Sequence, residues 1–187
     1  MYVAGPSGSG KSTFISQFIE EYKERYPERD VVLFAGKSED PVLDKWGPLR
    51  VKMDMNLVEE PMELEELRNS LVIFDDADQI TDKYVQAAVW KLRDQILEIG
   101  RSLGISVCTV AHQITNYKAS RICLNEADYV VFFPKAMGKR GIRYFLKNYA
   151  GLEKDQINRI MNLSGRAVVL KQKSPPCIIH QCGCYFI

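Results

Sequence analysis

One short stretch near the start of the chain constrains the fold more than any other. Gly5-Pro6-Ser7-Gly8-Ser9-Gly10-Lys11-Ser12 fits the phosphate-loop pattern G-x-x-x-x-G-K-[ST] throughout. Glycines let consecutive backbone N–H groups point inward and form an anion nest. The helix that follows adds the partial positive charge of its N-terminus. Such a loop needs a strand before it and a helix after it. Met1–Ala4 reads as the strand. Phe14, Ile15, Phe18 and Ile19 fall at helical spacing and read as the buried side of the helix. Lys11 is expected to reach the β- and γ-phosphates of ATP, and Ser12 to ligate Mg²⁺. Thr13 lies on the first turn, within reach of the α-phosphate.

The rest of the chain alternates strand and helix patterns. Val31–Phe34 reads as a second buried strand. Residues 35–70 are the least periodic part, with Pro61 placed to open a short helix. Leu71–Phe74 is an apolar run that ends in Asp75 and Asp76, which suits a buried parallel strand. Thr81 offers an N-cap to a helix with Val85, Val89, Leu92, Ile96 and Ile99 on one face. Gly100 or Gly104 is placed to end it. Ile105–Ala111 and Tyr129–Phe133 read as further strands. A helix-forming segment runs from Ile142 to Leu163, broken near Gly151. Val168–Lys171 and Cys177–His180 make a terminal hairpin across Pro175 and Pro176. This alternation predicts a three-layer α/β fold with a mostly parallel sheet. Ligands of such sheets sit beyond the carboxyl ends of the strands, so polar residues there are the candidates for chemistry.

Asp75 is the natural Walker B carboxylate for Mg²⁺. Asp76 follows it, where a carboxylate acts on the attacking water. The strand ending at Ala111 turns polar at His112 and Gln113. Gln113 is the candidate sensor of the γ-phosphate, and His112 lines the cleft or shares the role. Arg101 precedes that strand, at the opposite edge of the sheet. From there it is suited to reach a neighbour's phosphates as an arginine finger supplied in trans. Arg93, Arg121 and Arg140 are rivals for that role.

Composition narrows the setting. The chain has 187 residues, enough for one domain with its own core. It is read as a single domain over 1–187 with a basic C-terminal subregion from about 134. Its net charge of +1 hides an asymmetry: residues 1–133 balance to −7 and residues 134–187 to +8. A basic third suits a polyanion, with Lys135, Lys139, Arg140 and Arg143 as the candidate contacts. Apolar runs are too short for a membrane span. With the phosphate loop at residue 5 no secretory leader is expected, and the five cysteines read as thiols of a reducing compartment. Cys177, His180, Cys182 and Cys184 crowd the C-terminus, but their spacing does not fit paired zinc ligands.

Taken together these residues resemble the FtsK–HerA superfamily of ring-forming, DNA-pumping ATPases. The resemblance rests on GPSGSGKS at 5–12, LVIFDD at 71–76 and GRSLGISVCTVAHQ at 100–113. More narrowly, the chain resembles the genome-packaging ATPases of large double-stranded DNA viruses with double-jelly-roll capsids, the poxvirus and giant-virus type. ADYVVFFPKAMGKRGIRYFLKNYAGL at 127–152 and the paired prolines at 175–176 are similar to that branch. The resemblance implies a RecA-like (ASCE) P-loop core that forms a homo-oligomeric ring and drives double-stranded DNA into a preformed capsid. It implies ATP and Mg²⁺ as cofactors, hydrolysis at sites completed between subunits, and capsid or portal-vertex proteins as partners. It places the protein in the virion or in a virus factory of the host cytoplasm. In it Asp75 takes the Mg²⁺ role, Asp76 the place beside it, Gln113 the sensor role and Arg101 the trans finger. The superfamily usually has Asp-Glu where this chain has Asp75-Asp76. Two other readings compete. One is a P-loop nucleotide or small-molecule kinase, with Lys135–Arg143 standing in for a lid. The other is a nucleotide-gated adaptor that barely hydrolyses ATP.

Overall fold

The computed structural model describes the backbone of residues 1–187 and the side chains of all of them except 117–119. In chain order its elements begin with β1 (Tyr2–Ala4), α1 (Lys11–Arg25), β2 (Val31–Ala35), α2 (Pro41–Asp44), β3 (Leu49–Lys52) and α3 (Asn56–Glu59). Next come β4 (Leu71–Asp75), α4 (Lys83–Ile99), β5 (Ser106–Ala111), α5 (Tyr117–Glu126) and β6 (Tyr129–Phe132). The chain ends with α6 (Lys139–Asn148), α7 (Lys154–Met161), β7 (Val168–Lys171), β8 (Cys177–His180) and β9 (Gly183–Phe186). Two compact units result, Ser12–Val110 and the pair of segments Met1–Lys11 and Ala111–Ile187. The α/β architecture is the expected one, with mostly parallel strands and an antiparallel C-terminal hairpin.

In the unit Ser12–Val110 the strands run in the order β3-β2-β4-β5, all parallel. The runs Val31–Ala35 and Leu71–Phe74 are buried along their whole length, as apolar strands covered on both faces must be. Phe34 stacks on Phe74 with ring centroids 4.8 Å apart. Val85, Val89, Leu92 and Ile96 of α4 join the same core. Of the expected face of α4 only Ile99 is exposed, at 55%. Asp82, not Thr81, caps α4: its Oδ1 accepts from the backbone N–H groups of Tyr84 and Val85 at 2.9 and 3.0 Å. A carboxylate there also meets the positive end of the helix dipole, which a hydroxyl cannot match. Beyond Gly100 the chain tightens into a 3-10 turn, and Gly104 ends it at φ 69°. In α1 Ile15 and Ile19 are buried while Phe14 and Phe18 are half-buried.

Pro61 opens no helix. The acidic stretch instead forms a 3-10 turn at Leu64–Leu67, held by a reciprocal capping box between Glu63 and Glu66. The edge strand β3 and the short helices α2 and α3 lie in the stretch that had no readable period.

In the unit of Met1–Lys11 and Ala111–Ile187 the strand order is β1-β6-β7-β8-β9. β1 and β6 are parallel and the later pairs antiparallel. The expected hairpin of β7 and β8 is present, and β9 adds a strand to it. The segment 142–163 forms two helices, separated at Gly151 with φ 66°. On α6 Ile142, Phe145 and Leu146 are buried, whereas Lys139, Arg140, Arg143, Tyr144 and Lys147 are exposed. The stretch Lys135–Arg143 is therefore in part the first turn of a packed helix, anchored by Ile142. None of the helices is long and apolar enough to cross a membrane among the described residues.

Candidate nucleotide site

The phosphate loop leaves β1 at Gly5, whose N–H donates to the Ala111 carbonyl at 3.0 Å. The Ser9 N–H closes a turn on the Pro6 carbonyl at 3.2 Å. Gly8 and Gly10 take φ of 74° and 107°, conformations that side chains rarely adopt, so glycine is required at both. At Gly5 the constraint is space: a Cβ there would stand 2.5 Å from Ser9 Oγ and 2.7 Å from Phe133 Cδ2. Ser9 is buried, and its hydroxyl has no hydrogen-bond partner among the described residues. The Lys11 ammonium turns back over the loop and donates to the carbonyls of Gly5 at 2.7 Å and Pro6 at 3.3 Å. Its charge is thus held against the backbone of the loop.

In the other unit the Ser12 hydroxyl donates to Asp40 Oδ2 at 3.3 Å. Thr13 is exposed on the same turn. Asp40 was not singled out from the sequence. Its Oδ1 caps α2 through the N–H groups of Val42 and Leu43, at 2.9 and 3.4 Å, which leaves Oδ2 for Ser12. The Asp40 N–H donates to Asp44 Oδ2 at 2.7 Å, and Asp44 is paired with Arg50 of β3. The Arg50 guanidinium holds the Asp44 carboxyl below the usual range, helped by the Asp40 N–H. Arg50, Asp44 and Asp40 thus form a continuous relay from the edge strand to Ser12.

Asp75 ends β4, opposite Ala35 of β2 and Val110 of β5. It therefore lies at the carboxyl end of the parallel strands, as expected. Asp76 takes φ 54° and ψ 32°, the left-handed region, and leads into a 3-10 turn at Ala77–Gln79. A non-glycine residue there costs about 1 kcal/mol or more, and such strain clusters at working sites. The register pairs Leu71 with Ser106, so Arg101, on the turn before β5, sits at the strand end remote from Asp75. It is exposed. Of its rivals, Arg93 is only 3% exposed and ion-paired with Asp94, so it cannot reach a neighbouring molecule. Arg121 and Arg140 are exposed.

Gln113 follows the end of β5 with its side chain exposed, while its carbonyl accepts from the Tyr2 hydroxyl at 2.7 Å. His112 beside it is half-buried. Within this unit the loop's first N–H and the residues after β5 are thereby tied together through Ala111.

The C-terminal cysteines are dispersed. Cys177 is buried, Cys182 lies 3.3 Å from the Ser164 hydroxyl, and His180 Nδ1 accepts from the Cys182 N–H at 3.4 Å. Cys108 and Cys123 are buried as well, and burial pushes the Cys108 thiol up to about 12.

No family model matches the chain. Over 185 residues it is 36% identical to the uncharacterized protein V3 of Sputnik virophage, covering 98% of this chain and 75% of that protein. Its fold is similar to that of the genome packaging NTPase B204 of Sulfolobus turreted icosahedral virus 2, solved with AMPPCP. That likeness has a TM-score of 0.64 at 16% identity and covers 96% of this chain and 95% of the other. It is also similar to the pCW3 conjugation coupling protein TcpA, with TM-score 0.61, 12% identity, and 100% and 60% of the two chains covered. A further likeness is to the cytoplasmic domain of the Type VII secretion ATPase EccC of Thermomonospora curvata. There the TM-score is 0.60 at 14% identity, over 95% of this chain and 24% of that one. At these identities what is shared is the P-loop ATPase fold, which is the fold class read from the sequence.

Proposed function

From the premise that the chain belongs to the family of Sputnik virophage protein V3 and has the fold of the viral genome-packaging ATPases of FtsK–HerA type, we propose that it is an ATP-hydrolysing motor that moves double-stranded DNA into a viral capsid. The observation that carries this reading is the extent of the likeness, 96% of this chain against 95% of a packaging NTPase.

The loop Gly5, Pro6, Ser7, Gly8, Ser9, Gly10 and Lys11, with Ser12 and Thr13, binds the phosphates of ATP. Lys11 exchanges its two loop carbonyls for phosphate oxygens, so its charge is already in place when ATP arrives. The donor set suits a hard cation: the Ser12 hydroxyl already lies against a carboxylate, and Asp75 supplies another at the strand end. Ser12 and Asp75 would hold Mg²⁺, with Asp40 fixing the Ser12 rotamer. Bound there, Mg²⁺ would offset the negative charge of the β- and γ-phosphates. Asp76 orients the attacking water and takes its proton, and the Gln113 amide senses the γ-phosphate. Arg101, remote from its own Asp75, serves the site of the next subunit in a homo-oligomeric ring. Asp76 is one methylene shorter than the usual glutamate, and its left-handed backbone changes the direction in which it reaches.

DNA is gripped through its phosphates by the exposed cations Lys135, Lys139, Arg140 and Arg143, not read by sequence. The site of action is the virion or the virus factory, with capsid or portal-vertex proteins as partners. Duplex binding measured against salt tests the DNA half of the reading. Affinity is expected to be indifferent to sequence, with a log–log salt slope that falls by about 1–2 in the double variant Lys139→Ala/Arg140→Ala. Protein that hydrolyses ATP but binds no duplex at low salt would overturn it, and phosphate acceptors of a kinase would then be screened.

A further inference from the structure

The structure holds a second cation against the phosphate loop that its sequence position gives no hint of. Gly10 is a left-handed glycine, and the place its Cβ would occupy lies 3.9 Å from Arg166 Nη1 and 3.7 Å from Phe133 Cε1. The register explains how a residue so late in the chain arrives there. Ala4 of β1 pairs with Phe132 of β6, and Phe132 with Val168 of β7. Gly5, Phe133 and the residues just before Val168 therefore share one end of these three strands. No hydrogen bond or ion pair engages the Arg166 guanidinium among the described residues, and the side chain is exposed.

The turn that carries Arg166 is braced. Gly165 has φ 98°, and a Cβ there would stand 3.0 Å from Gln181 Cβ and 3.0 Å from Gln181 Oε1. The Ser164 hydroxyl lies 3.3 Å from Cys182 Sγ. Gln181 and Cys182 form the turn between β8 and β9, so the terminal hairpin packs against the turn that carries Arg166.

We propose that Arg166 is a phosphate-binding residue acting in cis, closing on the polyphosphate of the nucleotide held by its own chain's loop. The inference rests on the reading of that loop as an ATP site. The loop itself offers neutral N–H donors and one ammonium, whereas ATP carries several negative charges. A guanidinium presents two parallel N–H groups to phosphate oxygens and stays charged at every relevant pH. At 3.9 Å from the place of a Gly10 Cβ, Arg166 Nη1 lies in ordinary contact range of the loop. Arg166 is distinct from Arg101, which serves a neighbour.

The test is equilibrium binding of ATP, ADP and adenosine to the full chain and to Arg166→Ala, Arg166→Lys and Lys11→Ala, with melting of each apo protein as the folding control. Arg166→Ala is expected to weaken ATP and ADP about tenfold and to leave adenosine unchanged, with Arg166→Lys recovering part of the loss. Its apo melting midpoint should match that of the parent, since the side chain is exposed and unpaired. ATP affinity unchanged in Arg166→Ala, while Lys11→Ala loses it, would overturn the proposal and leave the loop reading standing. So would an equal loss for adenosine and ATP, which would mark a structural role. If the parent itself bound no ATP, the loop reading would fall and this inference with it.

Discussion

Replacing Gly5 by alanine isolates what the loop geometry demands. Gly5 does not have a positive φ, so its backbone is open to any residue and only space is at issue. A Cβ at Gly5 would sit 2.5 Å from Ser9 Oγ and 2.7 Å from Phe133 Cδ2, and since ordinary contact starts at 3.4 Å the shortfalls are 0.9 and 0.7 Å. Phe133 is 2% exposed and cannot swing out. Relief must come from the loop or from the packed ring, an overpacking cost of about 1–3 kcal/mol. For a chain of this size that lowers the melting midpoint by about 2–12 °C. Gly8→Ala is the control. Nothing lies within 4 Å of its Cβ, but its φ is +74°, so only the left-handed penalty of about 1–2 kcal/mol applies. The two variants separate in a cycle with Phe133→Leu. Gly5→Ala and Phe133→Leu should couple by about 0.5 kcal/mol or more, because the shorter side chain makes room, whereas Gly8→Ala and Phe133→Leu should add. Thermal melting and ATP affinity read both effects. Additive Gly5→Ala and Phe133→Leu, or a Gly5→Ala protein as stable as its parent, would refute the steric argument.

Asp40→Asn keeps the α2 cap but removes the charge beside Ser12, so stability should hold while Mg²⁺-dependent nucleotide binding and turnover fall about tenfold or more. Asp40→Ala should lose about 1 kcal/mol of stability as well, and equal melting of the two would argue against the cap. Arg101→Ala should still bind ATP yet turn over about a thousandfold more slowly, and mixing it with Lys11→Ala should restore activity that neither has alone. A mixture as inactive as its components would place Arg101 outside any shared site. The Asp44 carboxyl is held below its ordinary value by Arg50, so its contribution to stability is complete above the unfolded-state pKa of about 3.9 and is lost as pH falls through the lower folded-state value. Arg50→Gln should flatten acid unfolding in that window, which a pH series of melting curves would detect.

The features legible in the sequence are local ones. The phosphate loop, the β4 run into Asp75, the face of α4 and the β7–β8 hairpin each sit within one short window whose period or motif fixes the structure. Two of the features that escaped depend on distant partners. Asp40 reaches Ser12 across 28 positions, and nothing in its own neighbourhood distinguishes it from a turn residue. Arg166 meets Gly10 only through the pairing of β7 with β6 and of β6 with β1. β3 is an edge strand with exposed ends and no buried alternation, so it carries no period-two signal. α5 hides its face behind Ser120, whose hydroxyl bonds back to the Asn116 carbonyl at 2.8 Å while the residue is buried with Cys123 and Leu124. At the start of α4 adjacent residues compete for one capping position, and the sequence alone does not rank Thr81 below Asp82.

A motor whose ATP sites are completed between subunits and driven by DNA has a rate that depends on both protein and DNA concentration. Steady-state ATP hydrolysis against protein concentration, with and without long duplex DNA and with Lys11→Ala as the blank, tests it most directly. A specific rate that rises cooperatively with protein and rises again with DNA is expected. A rate that is linear in protein and indifferent to DNA would contradict it, and would point to a self-contained site in a single chain.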